Sequence, residues 1–245
     1  MRTAFITGAN KGLGLAAARG LGEQGVRVII GARDPRKSDV AVRELVQAGI
    51  DAEPVLVDVT DPASVRGAAE EVARRHGHID ILINNAGILP EATAEEVDGP
   101  LDPRMFETTF ATNVLGAVEV THAFLPLLQK AKAGRIVNVS STMGSLADQS
   151  NPDSPYYGVV VPAYQTSKAA LNSITIALSK KLSDTPIKVN SACPGWVQTD
   201  LGGQQNRAAA PLTAEQGAQI ITKLALIDED GPTGQFFDAN GPVRW

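Results

Sequence analysis

One cysteine, Cys193, in 245 residues excludes a disulfide framework and any metal site built from several thiolates. Three histidines, two of them (His76 and His78) flanking a single glycine, leave little material for a catalytic metal, and none is expected. Aromatic residues make up only 4% of the chain, and a net charge of −5 lacks the basic excess that nucleic acid or an anionic membrane requires. Long apolar runs are missing as well. The longest stretches without charge, residues 136–147 and 154–167, contain many polar groups and fall short of the roughly 18 apolar residues a spanning helix needs. The apolar run near Met1 is too short for a signal-peptide core, so a cytoplasmic location is the expectation. What is present, 43% hydrophobic residues without repeat, charge block or linker, reads as a single domain over residues 1–245.

Short β-branched or apolar runs alternate with longer helical patterns. Residues 3–7, 27–30, 53–57, 79–83, 135–139 and 187–190 read as strands, with 235–237 as a further candidate. Residues 12–24, 36–48, 62–76, 103–130 and 161–182 carry apolar side chains at helical spacing. Asp61–Pro62 is a helix start, an N-cap followed by proline. Apolar strands alternating with helices imply an α/β fold, a doubly wound parallel sheet of Rossmann type. Residues 146–160, with two Pro, two Asp and two Tyr and no periodicity, read as a long loop.

Directly after the first strand comes Gly8–Ala9–Asn10–Lys11–Gly12–Leu13–Gly14, leading into a helix. Glycines at that place let backbone N–H groups approach a pyrophosphate at a helix N-terminus. The second strand ends in Ala32–Arg33–Asp34. The Arg33 guanidinium suits a 2′-phosphate and Lys11 adds a second cation, so NADP is expected over NAD, with Asp34 as an alternative partner for ribose hydroxyls. Asp58, closing the third strand, is placed beside the adenine amino group or in the turn before Asp61.

Further along, Asn84–Asn85–Ala86–Gly87, Ser140–Ser141, Tyr164–Gln165–Thr166–Ser167–Lys168 and Pro194–Gly195 follow successive strands in that order. With the glycine loop, this set resembles the short-chain dehydrogenase/reductase family over almost the whole chain. Asn10–Lys11–Gly12, Ala32–Arg33–Asp34 and Pro194–Gly195–Trp196–Val197 resemble its NADPH-dependent carbonyl reductases. The resemblance implies hydride transfer between a nicotinamide and a carbonyl carbon, with Tyr164 delivering the proton. Moving a phenol from its ordinary value near 10 towards 7 takes about 4 kcal/mol, and Lys168, on the same helical face, is expected to supply it. Ser141 would hydrogen-bond the substrate oxygen, and Asn113 would hold a water behind the lysine. Cofactor contacts are expected from Gly8, Asn10, Lys11, Gly12, Leu13, Gly14, Arg33, Asp58, Val59, Asn85, Ala86, Gly87, Tyr164, Lys168, Pro194, Gly195, Val197 and Thr199. Alternatives on the same residues are an NAD(P)-dependent alcohol or hydroxysteroid oxidation, or a protein that senses NADP(H) without turnover.

The chain departs from the family pattern between Ser141 and Tyr164, where 22 residues intervene. The surplus falls in the insertion, residues 146–160. Tyr156, Tyr157 and Val160 are expected to form one wall of a substrate pocket, with Met143 and Trp196 opposite. Residues 196–211, small, polar and glycine-containing, read as a mobile substrate loop for a small-molecule carbonyl compound. The insertion leaves the choice between monomer and homo-oligomer open.

Overall fold

The computed structural model describes residues 1–245. The first half runs β1 (Thr3–Thr7), α1 (Gly12–Gly22), β2 (Arg27–Ala32), α2 (Pro35–Gln47), β3 (Ala52–Leu56), α3 (Pro62–His76) and β4 (Ile81–Asn84). The second runs α4 (Pro103–Phe110), α5 (Ala117–Leu128), β5 (Arg135–Val139), α6 (Leu146–Gln149), α7 (Pro162–Lys181), β6 (Lys188–Ala192), α8 (Gly203–Ala209), α9 (Ala214–Ala225), β7 (Phe236–Asp238) and β8 (Gly241–Pro242). One sheet of eight strands results, in the order β3-β2-β1-β4-β5-β6-β7-β8. Every pairing is parallel except that of β7 with β8, which form an antiparallel edge. The strand order reverses between β1 and β4, and in open α/β sheets the crevice beyond the carboxyl ends at such a reversal is where ligands bind.

Alternation along the strands builds two cores. Ala4, Ile6, Val28, Ile30, Ile81, Ile83 and Val137 face α1, α2 and α9, whereas Phe5, Ile29, Val55, Leu82 and Ile136 face α3, α5 and α7. Phe5 stacks on Phe124 of α5 with ring centroids 4.1 Å apart, at the centre of the second core. Both faces of the sheet are thereby covered, which is why its central strands are rich in apolar side chains on both faces.

Three helices start from an Asp-Pro pair: Asp34, Asp61 and Asp102 each accept a first-turn amide, ahead of Pro35, Pro62 and Pro103. Three stretches differ from the sequence expectation. The helix expected over 103–130 is broken by a π-helical turn, Ala111–Gly116, between α4 and α5. Over Pro103–Leu128 this element is long and apolar enough to cross a bilayer, yet Val120, Phe124, Leu127 and Leu128 lie in the protein core. The insertion opens with a helical turn, α6, because the Ser145 hydroxyl accepts the Asp148 amide. The expected substrate loop contains a 3-10 turn, Asp200–Gly202, and α8, in which Gln204, Gln205, Arg207, Ala208 and Ala209 are good helix formers.

Candidate active site

The carboxyl ends of β1, β4, β5 and β6 bring the motif residues to one edge of the sheet. At β1, Gly8 and Gly12 have φ of 65° and 53°. Gly14 is required by contact: a Cβ there would lie 2.5 Å from Asn85 Nδ2 and 2.7 Å from the Gly8 carbonyl oxygen. Asn85 staples the loops after β1 and β4. Its Nδ2 donates to the carbonyls of Thr7 (2.8 Å) and Gly8 (3.2 Å), while the Asn85 and Ala86 amides donate to Thr7 Oγ1. The Lys11 side chain supplies no cap to α1, in contrast to the capped α2, α3, α4 and α9. An N-terminus of that kind, approached by glycine backbone, fits an anionic pyrophosphate.

At the adenosine end, Arg33 is exposed beyond β2. Asp34 spends Oδ1 on the Arg36 and Lys37 amides, so its carboxylate is committed to α2. Hydrogen bonds from the Thr60 hydroxyl and amide, then the nearby Arg33 charge, hold the Asp58 carboxyl below its ordinary value. Val59 packs where a Cβ on Gly116 would lie 2.9 Å from it. Lys11 Nζ lies 2.7 Å from Asp200 Oδ2, so this cation is paired in the folded protein. Asp200 also binds Arg207 of α8 at 2.8 Å, joining the glycine loop to the segment after β6. That segment begins Pro194–Gly195, pairs Val197 with Leu212, and brings Thr199 to 3.3 Å from a Cβ built on Gly12.

The chemical end centres on α7. Tyr164, Ser167 and Lys168 are buried on one side of that helix. Gly144 permits this, since a Cβ there would lie 2.6 Å from the Lys168 carbonyl carbon. Lys168 Nζ donates to the Val139 carbonyl oxygen at 2.8 Å and lies 5.5 Å from the Tyr164 ring centroid. Burial lowers the ammonium from its ordinary 10.5 to about 8. Burial and the neighbouring Cys193 raise the Tyr164 phenol above its ordinary value, against a hydrogen bond with Ser141 that lowers it. At the phenol desolvation outweighs the Ser141 hydrogen bond, and the Lys168 ammonium is aimed at a backbone carbonyl.

Asn113 sits in the π-helical turn, a distortion often found at functional sites. Its Oδ1 accepts the Ile88 amide, and its Nδ2 donates to the Ile88 carbonyl (3.0 Å) and Ser167 Oγ (3.1 Å). Gly87 lies beside Asn113 and Lys168, with a built Cβ 3.5 Å from Asn113 Oδ1 and 3.7 Å from Lys168 Nζ. Ser141 Oγ accepts the Met143 amide at the start of the turn that carries Met143 and Gly144. Tyr157, Val160 and Trp196 are exposed, and Met143 is half-buried. The sequence reading missed Gly144, Ser167 in its link to Asn113, Asp200, and Glu91, whose carboxylate meets the first turn of α7. Only the Tyr-to-Lys motif, which encloses Ser167, carried a signal for any of them.

A doubly wound sheet with a glycine loop at its reversal point and a buried Tyr-Lys pair across from it defines a Rossmann-type oxidoreductase. A sequence model of the family described as short chain dehydrogenase matches residues 2–210, and the chain belongs to that family. It is 31% identical to carbonyl reductase [NADPH] 1 of Sus scrofa, covering 100% of this chain and 94% of that protein. It is also 31% identical to (+)-neomenthol dehydrogenase of Capsicum annuum, over 96% of this chain and 95% of that one. The crystal structure of an NADPH-bound carbonyl reductase from chicken fatty liver superposes with a TM-score of 0.84 at 28% identity, covering 100% of this chain and 99% of that chain.

Proposed function

We propose that the protein reduces a ketone, aldehyde or quinone to the alcohol with NADPH, Tyr164 acting as general acid. The observation that carries this is the placement of the buried Tyr164 phenol, beside the Ser141 hydroxyl and with its ring centroid 5.5 Å from Lys168 Nζ, at the carboxyl ends of the strands. NADPH, when bound, would supply the hydride for the carbonyl carbon. Tyr164 breaks its O–H bond to protonate the carbonyl oxygen as negative charge develops there. Ser141 donates a hydrogen bond to the same oxygen and stabilises that charge. Lys168 stabilises the tyrosinate left behind and holds the nicotinamide ribose. Asn113 ties Ile88 to Ser167, the residue before that lysine on α7.

Gly8 to Gly14 would hold the pyrophosphate, Arg33 and Lys11 the 2′-phosphate, and Asp58 with Val59 the adenine. Asn85 to Gly87 and Pro194 to Thr199 would enclose the nicotinamide. Naming of NADPH in the Sus scrofa relative and the chicken structure supports the cofactor assignment. Met143, Tyr157 and Trp196 would contact a small-molecule carbonyl substrate, in a cytoplasmic setting.

The test is NADPH and NADH oxidation against a panel of quinones, aldehydes and ketones, by wild type and Tyr164→Phe. Turnover with NADPH should fall by at least about a hundredfold in the variant while NADPH binding is kept. Retained turnover would remove Tyr164 from the proton-donor role, and tight binding without any turnover would favour the sensing alternative.

A further inference from the structure

The helix that carries Tyr164 and Lys168 begins without a cap of its own. Its N-cap residue, Val161, has no side-chain oxygen, and Pro162 has no amide hydrogen. The next two amides are taken by a carboxylate from far along the chain. Glu91 Oε1 accepts from Ala163 N at 3.0 Å and Oε2 from Tyr164 N at 2.8 Å, across sequence separations of 72 and 73 residues. A Ser, Asp or Asn at position 161 would be the simpler way to stabilise a helix start. Here the acceptor arrives instead from the loop that follows β4.

Glu91 lies in a 3-10 turn, Pro90–Ala92, close behind Gly87 and Ile88. Ile88 is held through both of its backbone groups by Asn113, and Asn113 also binds Ser167 of α7. The loop beside Lys168 is therefore joined to α7 at two places: through Asn113 one turn in, and through Glu91 at the tyrosine's own amide. Both Glu91 bonds are charge-assisted, the stronger kind, and together they fix two consecutive peptide units. The tether sets where the Tyr164 backbone stands relative to the loop proposed to enclose the nicotinamide.

We propose that Glu91 is a positioning residue for the reduction. It holds Tyr164 at the distance from the nicotinamide loop that proton delivery needs, beyond any contribution to helix stability. The inference rests on the function proposed above. Reacting groups displaced by about 1 Å lose rate on the order of a hundredfold, so loosening this tether acts on kcat before it acts on cofactor affinity.

The test compares Glu91→Ala, Glu91→Gln and the double variant Glu91→Ala/Val161→Asp, in which a local cap is restored without the tether. Melting temperature, NADPH Kd and kcat are measured for each, well below the melting range. Glu91→Ala should melt lower, keep NADPH Kd within about twofold, and lose about tenfold or more in kcat. Glu91→Gln, with one acceptor oxygen left, should fall between. The double variant should regain its melting temperature and keep the low kcat. A kcat within about twofold of wild type in Glu91→Ala would overturn the proposal, and so would recovery of kcat in the double variant. Should wild type itself show no tyrosine-dependent turnover, the proposed function fails, and amide hydrogen exchange tests the tether alone. Glu91→Ala should then speed exchange in both residues 86–92 and 161–168, and an effect confined to 161–168 would refute it.

Discussion

Replacing Lys168 by methionine should make the folded protein more stable at neutral pH while abolishing turnover. Burial moves the ammonium from 10.5 to about 8. At roughly 1.4 kcal/mol per pH unit, this is a cost of about 3 kcal/mol for keeping the proton on a buried lysine. The folded pKa lies below the unfolded one, so the cost is full below about pH 8 and is relieved as pH rises towards 10.5. Methionine removes that cost but leaves the Val139 carbonyl without the donor now 2.8 Å away, a loss of about 1–2 kcal/mol. The net gain is about 1–2 kcal/mol at pH 7, or about 3–6 °C in Tm for a chain of this size. By pH 9.5 the wild-type cost has fallen to about 1.4 kcal/mol, and the two proteins should melt together. Calorimetry of both at pH 7 and 9.5 measures the difference directly. A variant melting below wild type at pH 7, or a difference that does not shrink with pH, would refute the reasoning.

Arg33→Asp should raise NADPH Kd by about a hundredfold, through lost pairing and added repulsion, and leave NADH affinity nearly unchanged; titration of both cofactors by fluorescence checks it, and equal losses would place the 2′-phosphate elsewhere. Asp200→Asn releases Lys11 from its 2.7 Å ion pair and should tighten NADPH binding about threefold at low salt. The gain should vanish in Asp200→Asn/Lys11→Met, and its persistence there would dissociate Lys11 from the 2′-phosphate.

The sheet was legible in the sequence because both of its faces are buried. Strands such as Thr3–Thr7 and Arg135–Val139 are buried throughout, and that burial leaves short runs dominated by β-branched and apolar residues. What escaped were features whose cause lies in another part of the chain. The π-helical turn at Ala111–Gly116 has no sequence mark of its own, and the partners of its Asn113, Ile88 and Ser167, lie 25 and 54 residues away. The β7–β8 edge ends in a two-residue strand, Gly241–Pro242, too short to show alternation. Asp34 illustrates the same limit at short range. As a composition it could serve a ribose, but with Pro35 next it is a helix cap, and the identical reading at Asp61–Pro62 would have assigned it.

At the site, spacing placed the residues and could not assign their charges. Positions 164 and 168, four apart, do put phenol and ammonium on one face of α7. A shared face does not decide which group lowers the other's free energy, since that depends on how much water each has lost and on what else the ammonium touches. Here both are buried, and the nearest acceptor for the ammonium is a strand carbonyl. Desolvation therefore pushes each group towards its neutral form: the phenol keeps its proton more firmly, and the lysine holds its own less firmly. The proposed mechanism needs the protonated phenol beforehand and a cation beside the tyrosinate afterwards. The folded protein is poised for the first of these requirements. The second demands that the Lys168 ammonium leave the Val139 carbonyl or share its hydrogens with a further acceptor, and an ammonium with three donors can do so without giving up the bond it has.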